Sequence, residues 1–369
     1  MPKCYRALGA MSGTSMDGID LALLETDGRS VKTFGPTAAY PFAEADRALL
    51  REAVAAAKDL RERDARPGVL AEAETCVTQR HIEAINRFLA DNALDASQID
   101  VIGFHGQTVL HRPEWGLTVQ IGRGEDLARA LGIDVAHDMR AADMRAGGQG
   151  APLVPVFHRA LAEASGVATP ALFVNIGGVA NCTFVAPGVD PLACDTGPGN
   201  ALLDDLMLAR KGVPMDRDGA CAAAGKVDAA ALAKLMDHEY FKAPPPKSLD
   251  RNAFSAAPVA GLSTEDAAAT LTAFTAASIA AHLAFLPAQP RVIVVCGGGA
   301  RNPTLLQALR QRAGCDVRRA EDFGWSAEAV EAQAFAFLAV RSVKQLPLTF
   351  PGTTGVAVPT CGGLLAWAG

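Results

Sequence analysis

The chain has 369 residues, 50% of them hydrophobic and 20% charged, with 34 Lys and Arg against 40 Asp and Glu and a formal net charge of −6. That length reads as two domains and that composition as a globular chain with a large core. The negative balance, with no long Lys/Arg run, argues against a nucleic-acid partner. No apolar run reaches about 18 uninterrupted residues, so no membrane span is expected, and the N-terminal apolar run breaks at Ser12, too short for a signal peptide. The eight cysteines form no Cys-x-x-Cys pair; they read as buried thiols of a reducing cytoplasm, not as a zinc ribbon or a redox motif.

In chain order, Leu8 to Glu25 reads as strand, tight turn, strand. Helical periodicity follows at Ala43 to Ala57 and Glu72 to Leu89. Short strands at Asp100 to Phe104, Leu117 to Ile121 and Ile133 to Ala136 flank a helix running from Gly124 to Gly132, and His105 to Thr108 reads as a polar loop. This β-β-α-β-α-β order implies a mixed sheet with helices packed against it. A charged, Gly-rich loop, Asp138 to Gly150, marks the domain junction; its Asp138, Arg140, Asp143 and Arg145 fit either binding groups or a solvated salt-bridge cluster. Beyond a helix at Val156 to Glu163 the opening pattern returns: strand Ala171 to Ile176, turn Gly177-Gly178, strand Asn181 to Val185. The two hairpins lie about half a chain apart, which suggests two lobes of similar topology. Leu192 to Cys194 is strand-like, Asn200 is placed as the cap of a helix ending near Gly212, and Ser263 starts a long buried helix through Phe285. Arg291 to Cys296 is a β-branched strand expected at a sheet centre, and Ser326 precedes the last long helix.

The turn Ser12 to Gly18 carries two glycines, three hydroxyls and a carboxylate, more than a plain hairpin needs. Small residues let the backbone approach a ligand, and successive amides make an anion site, so Gly13, Thr14, Ser15, Met16, Asp17 and Gly18 read as a phosphate cradle. Gly177-Gly178 and Gly297-Gly298-Gly299 are further small-residue turns at strand ends. Asp17 and Asp20 are the candidates to hold Mg²⁺, directly or through water. Asp195 is the candidate base, expected at a strand end just before a helix whose positive terminus would stabilise its anion. Glu331 lies at i−4 and i−7 from Phe335 and Leu338, on an apolar helix face, and is either satisfied by the helix terminus or aimed at a ligand. The P-loop is absent, because Val227 follows Gly225-Lys226 where Ser or Thr is required. Ser15 is not a hydrolase nucleophile: Asp17 stands where the elbow needs glycine, and the turn joins two strands.

Taken in order, Met11-Ser-Gly-Thr-Ser-Met-Asp-Gly-Ile-Asp20, His105-Gly-Gln-Thr108, Val119-Gln-Ile-Gly122, Gly147-Gly-Gln-Gly-Ala-Pro-Leu-Val154, Asn175-Ile-Gly-Gly178, Asp195-Thr-Gly-Pro-Gly-Asn200, Asp216-Arg-Asp-Gly219, Cys296-Gly-Gly-Gly299 and Glu331-Ala-x-Ala-Phe335 resemble the anhydro-N-acetylmuramic acid kinases, of the sugar kinase, actin and heat-shock chaperone superfamily. The resemblance implies an α/β fold of two ribonuclease-H-like lobes with a nucleotide cleft between them: residues 1–140 joined by 352–369, and residues 141–351. It implies ATP and Mg²⁺, the run Gly13 to Asp20, Ile19 included, as the ATP phosphate loop, Asp195 as catalytic base, and Glu331, His105, Gln107, Asp138 and Gln149 as sugar contacts. The implied reaction opens a 1,6-anhydro ring with water and phosphorylates the 6-oxygen, in bacterial cytoplasmic cell-wall recycling. Family members are often dimers, so a homodimer is expected without a patch that localises it. Asp250 and Asn252 replace the family's usual Gly and Glu, and Phe337 its frequent tryptophan. The competing readings are a kinase for another anhydro sugar such as levoglucosan and an actin-like nucleotide switch without sugar chemistry.

Overall fold

The computed structural model describes residues 3–325 and 327–369. The chain forms two compact units, one of Met1–Ala164 with Glu328–Gly369, the other Ser165–Ala327. In the first, strands β1 (Tyr5–Met11), β2 (Gly18–Thr26), β3 (Val31–Pro41) and β4 (Val101–Phe104) precede a two-stranded ribbon of β5 (Gln107–Arg112) and β6 (Leu117–Ile121), and β7 (Val135–His137) follows. In the second unit, β8 (Ala171–Ile176), β9 (Val179–Ala186), β10 (Val189–Pro198), β11 (Val292–Cys296) and β12 (Asp316–Arg319) form one sheet. The chain then returns to the first unit with the helix Ala327–Val343 and β13 (Leu364–Ala366).

Both sheets have one topology. The first runs β3-β2-β1-β4-β7, with β13 added at its edge, and the second β10-β9-β8-β11-β12. In each, the first three strands form an antiparallel meander, and the last two lie parallel to the first. That 3-2-1-4-5 order is the ribonuclease-H-like arrangement, here present twice.

Packing on the first sheet explains where the unit boundary falls. Leu8, Ala10, Ile19, Leu21 and Leu23 pack with residues of the helices Glu44–Ala57 and Val69–Asp91 in one apolar cluster. The other face is planed flat by glycine. A Cβ on Gly9 would stand 1.7 Å from the Ala332 carbonyl oxygen, and one on Gly103 2.0 Å from that of Phe335. Only glycine lets the helix Ala327–Val343 lie this close to the sheet, and Arg341 ties its far end to the Gly28 carbonyl at 2.7 Å. The first unit therefore reclaims residues 328–369 and not only 352–369, and it keeps the helix Pro155–Ala164, so the expected boundary at 140/141 shifts as well.

Three other expectations change. β3 is an exposed edge strand interrupted by Gly35 and Pro36, which hides it from alternation. The polar loop expected after His105 is strand from Gln107 on. Asn200 does not cap its helix; its amide nitrogen reaches Ile176 O at 3.2 Å instead. Ser263 does cap, accepting from the Asp266 amide at 3.1 Å, while Ser326 lies outside the described residues. The helix beginning at Thr264 is, among the described residues, long and apolar enough to cross a membrane by composition alone, but 72% of that window is buried within the unit.

Candidate active site

In the first unit, β1 ends at Met11 and the turn crosses to Gly18. Met16 takes a left-handed φ of 57° and donates to the Gly13 carbonyl at 3.1 Å, which closes the turn. Thr14, Ser15 and Asp17 are exposed, and a Cβ built on Gly13 meets nothing nearer than 3.6 Å, so the outer surface of the turn is open to a ligand. Its inner surface is braced by the segment following β4. Ser12 Oγ donates to Gly106 O at 3.0 Å, and Gln107 Nε2 to Gly13 O at 3.0 Å. His105 Nδ1 lies 3.1 Å from Ser12 O, while its Nε2 faces Arg140 Nη2 at 3.0 Å. Arginine has no acceptor to offer; Nε2 must therefore accept, and Nδ1 carries the proton and donates to Ser12 O. Burial, reinforced by the Arg140 charge, drives the His105 pKa down to about 3 and keeps the ring neutral.

Arg140 joins two segments of this site. Its Nη1 donates to Gly150 O at 2.8 Å, and burial lowers its pKa to about 10 against the opposing pull of Glu331 and then Asp143. Asp143 is buried and accepts from the Gly150 amide at 2.6 Å and Thr354 Oγ1 at 2.6 Å. The charged loop is thus an ordered bracket, not a solvated salt-bridge cluster. Glu331 is solvent-accessible where its helix face leaves the core of Phe335 and Leu338; desolvation by surrounding groups pushes its carboxyl above the ordinary range, and Arg140 pulls it back.

His105, expected as a sugar contact, has both ring nitrogens committed within the protein and is 5% exposed; what its bonds do is brace the turn Ser12–Gly18. Gln107 shares that role through Nε2, leaving a buried Oε1 without a partner among the described residues. Asp138 is held by Arg63 at 2.6 Å, while Gln149 is half-buried in the loop. Ile19 points into the apolar cluster, which leaves only its backbone to face the turn. Asp17 is exposed beside Arg47 at 3.7 Å, and Asp20 pairs with Met11 on the sheet face that carries Gly9. Each is an oxygen donor of the kind Mg²⁺ accepts, which keeps most of its waters and takes one or two protein carboxylates with substrate phosphates.

In the second unit, Asp195 lies within β10 opposite Asn181, where a bulge separates it from Gly197. It is expected just before a helix terminus, but five residues separate it from Ala201, beyond the reach of the helix dipole. Burial instead raises its pKa to about 6, opposed by the Leu249 amide and aided by the Cys194 thiolate. A strap from Tyr240 to Leu249 holds the residue: Tyr240 Oη donates to Asp195 O at 2.8 Å, the Asp195 amide donates to Lys247 O at 3.0 Å, and Leu249 N donates to Oδ2 at 2.7 Å. Lys247 Nζ closes the strap on Tyr240 O and Ala243 O, both at 2.8 Å. Oδ1 carries no protein hydrogen bond among the described residues and is the atom left for a ligand proton. The strap's contacts with Asp195 run largely through backbone atoms, so side-chain patterning does not predict them.

The glycine turns gather at the same end of this sheet. Gly199 N and Asn200 N donate to Gly178 O and Gly177 O at 2.9 and 2.8 Å. Gly297, with φ +77°, has no room for a Cβ, which would fall 2.3 Å from Asn175 Oδ1. Gly299 is pressed against Ile176, whereas Gly178 and Gly298 are exposed and have no neighbour closer than 3.6 Å to an added Cβ. Two glycines thus fix the turns and two leave open backbone.

A ribonuclease-H-like sheet made twice, with an open small-residue turn after the first strand of one and a desolvated aspartate on the third strand of the other, is the architecture of the actin-like ATPases that include sugar kinases. Within that class the assignment narrows. The chain belongs to the anhydro-N-acetylmuramic acid kinase family, whose profile matches residues 5–367. It is 55% identical over 361 residues to the anhydro-N-acetylmuramic acid kinase of Bradyrhizobium diazoefficiens, covering 98% of each chain. It is 57% identical over 365 residues to that of Azorhizobium caulinodans, again 98% of each. Among solved structures, component A of the Acidaminococcus fermentans (R)-2-hydroxyglutaryl-CoA dehydratase aligns with 92% of this chain and 99% of its own, at 12% identity and a TM-score of 0.47.

Proposed function

We propose that this chain phosphorylates the 6-oxygen of 1,6-anhydro-N-acetylmuramic acid with ATP while water opens the anhydro bridge. The observation that carries the reading is Asp195: a carboxylate with one free oxygen and a pKa near 6 is ionised at neutral pH yet basic enough to take a proton. Oδ1 accepts a proton from water as that water bonds to the anomeric carbon. The C1–O6 bond breaks, and O6 bonds to the γ-phosphorus as ADP leaves, giving N-acetylmuramic acid 6-phosphate. The strap through Leu249 and Lys247 fixes the carboxylate direction, which is where positioning contributes most.

The turn Gly13–Gly18 binds the ATP phosphates through its backbone amides and the Thr14 and Ser15 hydroxyls, and His105, Gln107 and Ser12 keep it rigid. Gly177, Gly178, Gly297, Gly298 and Gly299 receive the remainder of the nucleotide. Asp17 and Asp20 would hold Mg²⁺, directly or through water, and the ion would supply positive charge against the phosphates. Glu331 and the bracketed loop Asp138–Gly150 contact sugar, with Arg140 setting the charge beside Glu331. The product re-enters cytoplasmic cell-wall recycling.

The test is phosphate transfer from ATP in ¹⁸O-labelled water across anhydro-N-acetylmuramic acid, levoglucosan and ordinary hexoses. Label at the anomeric oxygen of the muramic acid product supports the coupled reaction. Phosphorylation without label refutes the water step, and equal rates on levoglucosan refute the substrate.

A further inference from the structure

On the opposite side of β10 from the Asp195 carboxylate lies a cluster that the proposed kinase reaction does not use. Cys194 and Cys182 are direct cross-strand partners on β10 and β9, and both face the apolar core. His282, the last residue of the helix Thr264–His282, reaches the same point, with Nε2 3.4 Å and Nδ1 3.8 Å from Cys194 Sγ. One donor atom from each of the three residues lies within 4.8 Å of the others, and all three are buried. This is the single grouping of three potential metal ligands among the described residues.

We propose that Cys182, Cys194 and His282 bind one thiophilic d¹⁰ cation, Zn(II) in preference to Cu(I), and that the ion staples the Asp195 strand to the end of this helix. The donor set selects the ion. Two sulfurs and an imidazole, with no oxygen ligand, suit soft cations and exclude Mg²⁺ and Ca²⁺. The spacing fits: metal bonds of about 2.3 Å to sulfur and 2.0–2.1 Å to nitrogen at a tetrahedral angle set the donors about 3.5 Å apart. The near-equal distances to the two ring nitrogens mean that a turn about the soft Cβ–Cγ torsion of His282 aims one of them at the ion. Binding releases to solvent whatever protons the two sulfurs still carry and involves no redox change. Two thiolates with a divalent ion are neutral, which a buried site tolerates, whereas Cu(I) leaves a net negative charge.

The full chain, stripped of metal by chelator without oxygen, is titrated with Co(II) as the spectroscopic probe and then with Zn(II), with a separate Cu(I) arm against a competing chelator. One equivalent of Co(II) giving thiolate-to-cobalt charge-transfer absorption, displaced by Zn(II), together with a thermal midpoint raised by several degrees, supports the site. Saturation by Cu(I) but not Zn(II) overturns the choice of ion. Cys182→Ala and His282→Gln each abolish the signal, whereas Cys4→Ser with Cys361→Ser retains it. A signal that survives in the first pair or vanishes in the second overturns the assignment. Should the core variants misfold, thiol alkylation of the native protein decides: Zn(II) protects Cys182 and Cys194 together, and equal labelling with and without Zn(II) refutes the proposal.

Discussion

Replacing Asp195 with Asn separates what the fold wants from what the reaction needs. In the folded chain the carboxyl has a pKa of about 6 against an ordinary 3.8. That displacement of about two pH units, at about 1.4 kcal/mol each, is about 3 kcal/mol spent on holding a buried anion. Because the folded value is raised, the penalty is fully present above pH 6 and vanishes below about pH 4. Asn has the same shape, is neutral, and still offers an oxygen to the Leu249 amide. The variant should therefore be more stable than wild type at pH 8, by about 1–3 kcal/mol, and gain nothing at pH 4, as denaturant titrations at both pH values will measure. Its turnover in a coupled ADP-release assay should fall by about 10²–10⁴-fold, the usual worth of a general base. In wild type, kcat/KM should fall about tenfold per pH unit below pH 6. Turnover near wild type, or a stability gain larger at pH 4 than at pH 8, would refute the assignment of Asp195 as a desolvated base.

Arg140 bridges His105 Nε2 and Gly150 O. Arg140→Lys offers one ammonium for two acceptors, so activity should drop about 10–100-fold, the scale of one lost charged hydrogen bond, in steady-state kinetics. Gly9→Ala places a methyl against the Ala332 carbonyl and should cost about 3 kcal/mol or more by thermal unfolding, whereas Gly116→Ala, with open space around it, should cost less despite its positive φ. His81, His105 and His158 are all in the first unit, with pKa values lowered by burial to about 4, 3 and 4. Each is neutral in the fold but protonates near 6.5 when unfolded, so stability is lost as pH falls below 6.5, by about 2 kcal/mol per histidine at pH 5. Circular dichroism against pH should show acid unfolding that His81→Leu moves to lower pH.

The elements legible in the sequence were those whose residues carry their own pattern. The β-branched run of β11 announced an interior strand, and the small residues after Met11 announced a turn between two strands. β3 was hidden because an edge strand with mostly exposed side chains has no apolar alternation. Asp195 stood out from its glycine-rich surroundings, but the sign of its electrostatics did not: its local sequence suggested a helix dipole, whereas burial dominates. His105 and Gln107 illustrate a related point. A polar residue in a marked motif looks like a ligand contact until its atoms are counted, and here the ring nitrogens of His105 are consumed by Arg140 and the Ser12 carbonyl, far away in sequence.

The repeated strand order accounts for the position of these braces. In a 3-2-1-4-5 sheet, strand 4 lies beside strand 1 and parallel to it, so the segments leaving both emerge at one edge. In the first unit that sets His105-Gly106-Gln107, after β4, against the turn after β1. In the second it sets Gly297-Gly298-Gly299, after β11, against the turn after β8, where Gly297 meets Asn175 and Ile176. The same geometry is filled with opposite chemistry. Polar side chains fix the first turn from within and leave its outer surface open, whereas the second is fixed by glycines so tightly packed that a single Cβ would collide. The difference predicts different tolerance. Gln107→Leu should leave the first unit folded while weakening ATP binding, because the turn loses one of several hydrogen bonds. Gly297→Val should unfold the second unit outright. Loss of ATP affinity with no change in melting for Gln107→Leu, measured by calorimetry, and a collapsed melting transition for Gly297→Val would support this division. Equal thermal penalties in the two variants would refute it.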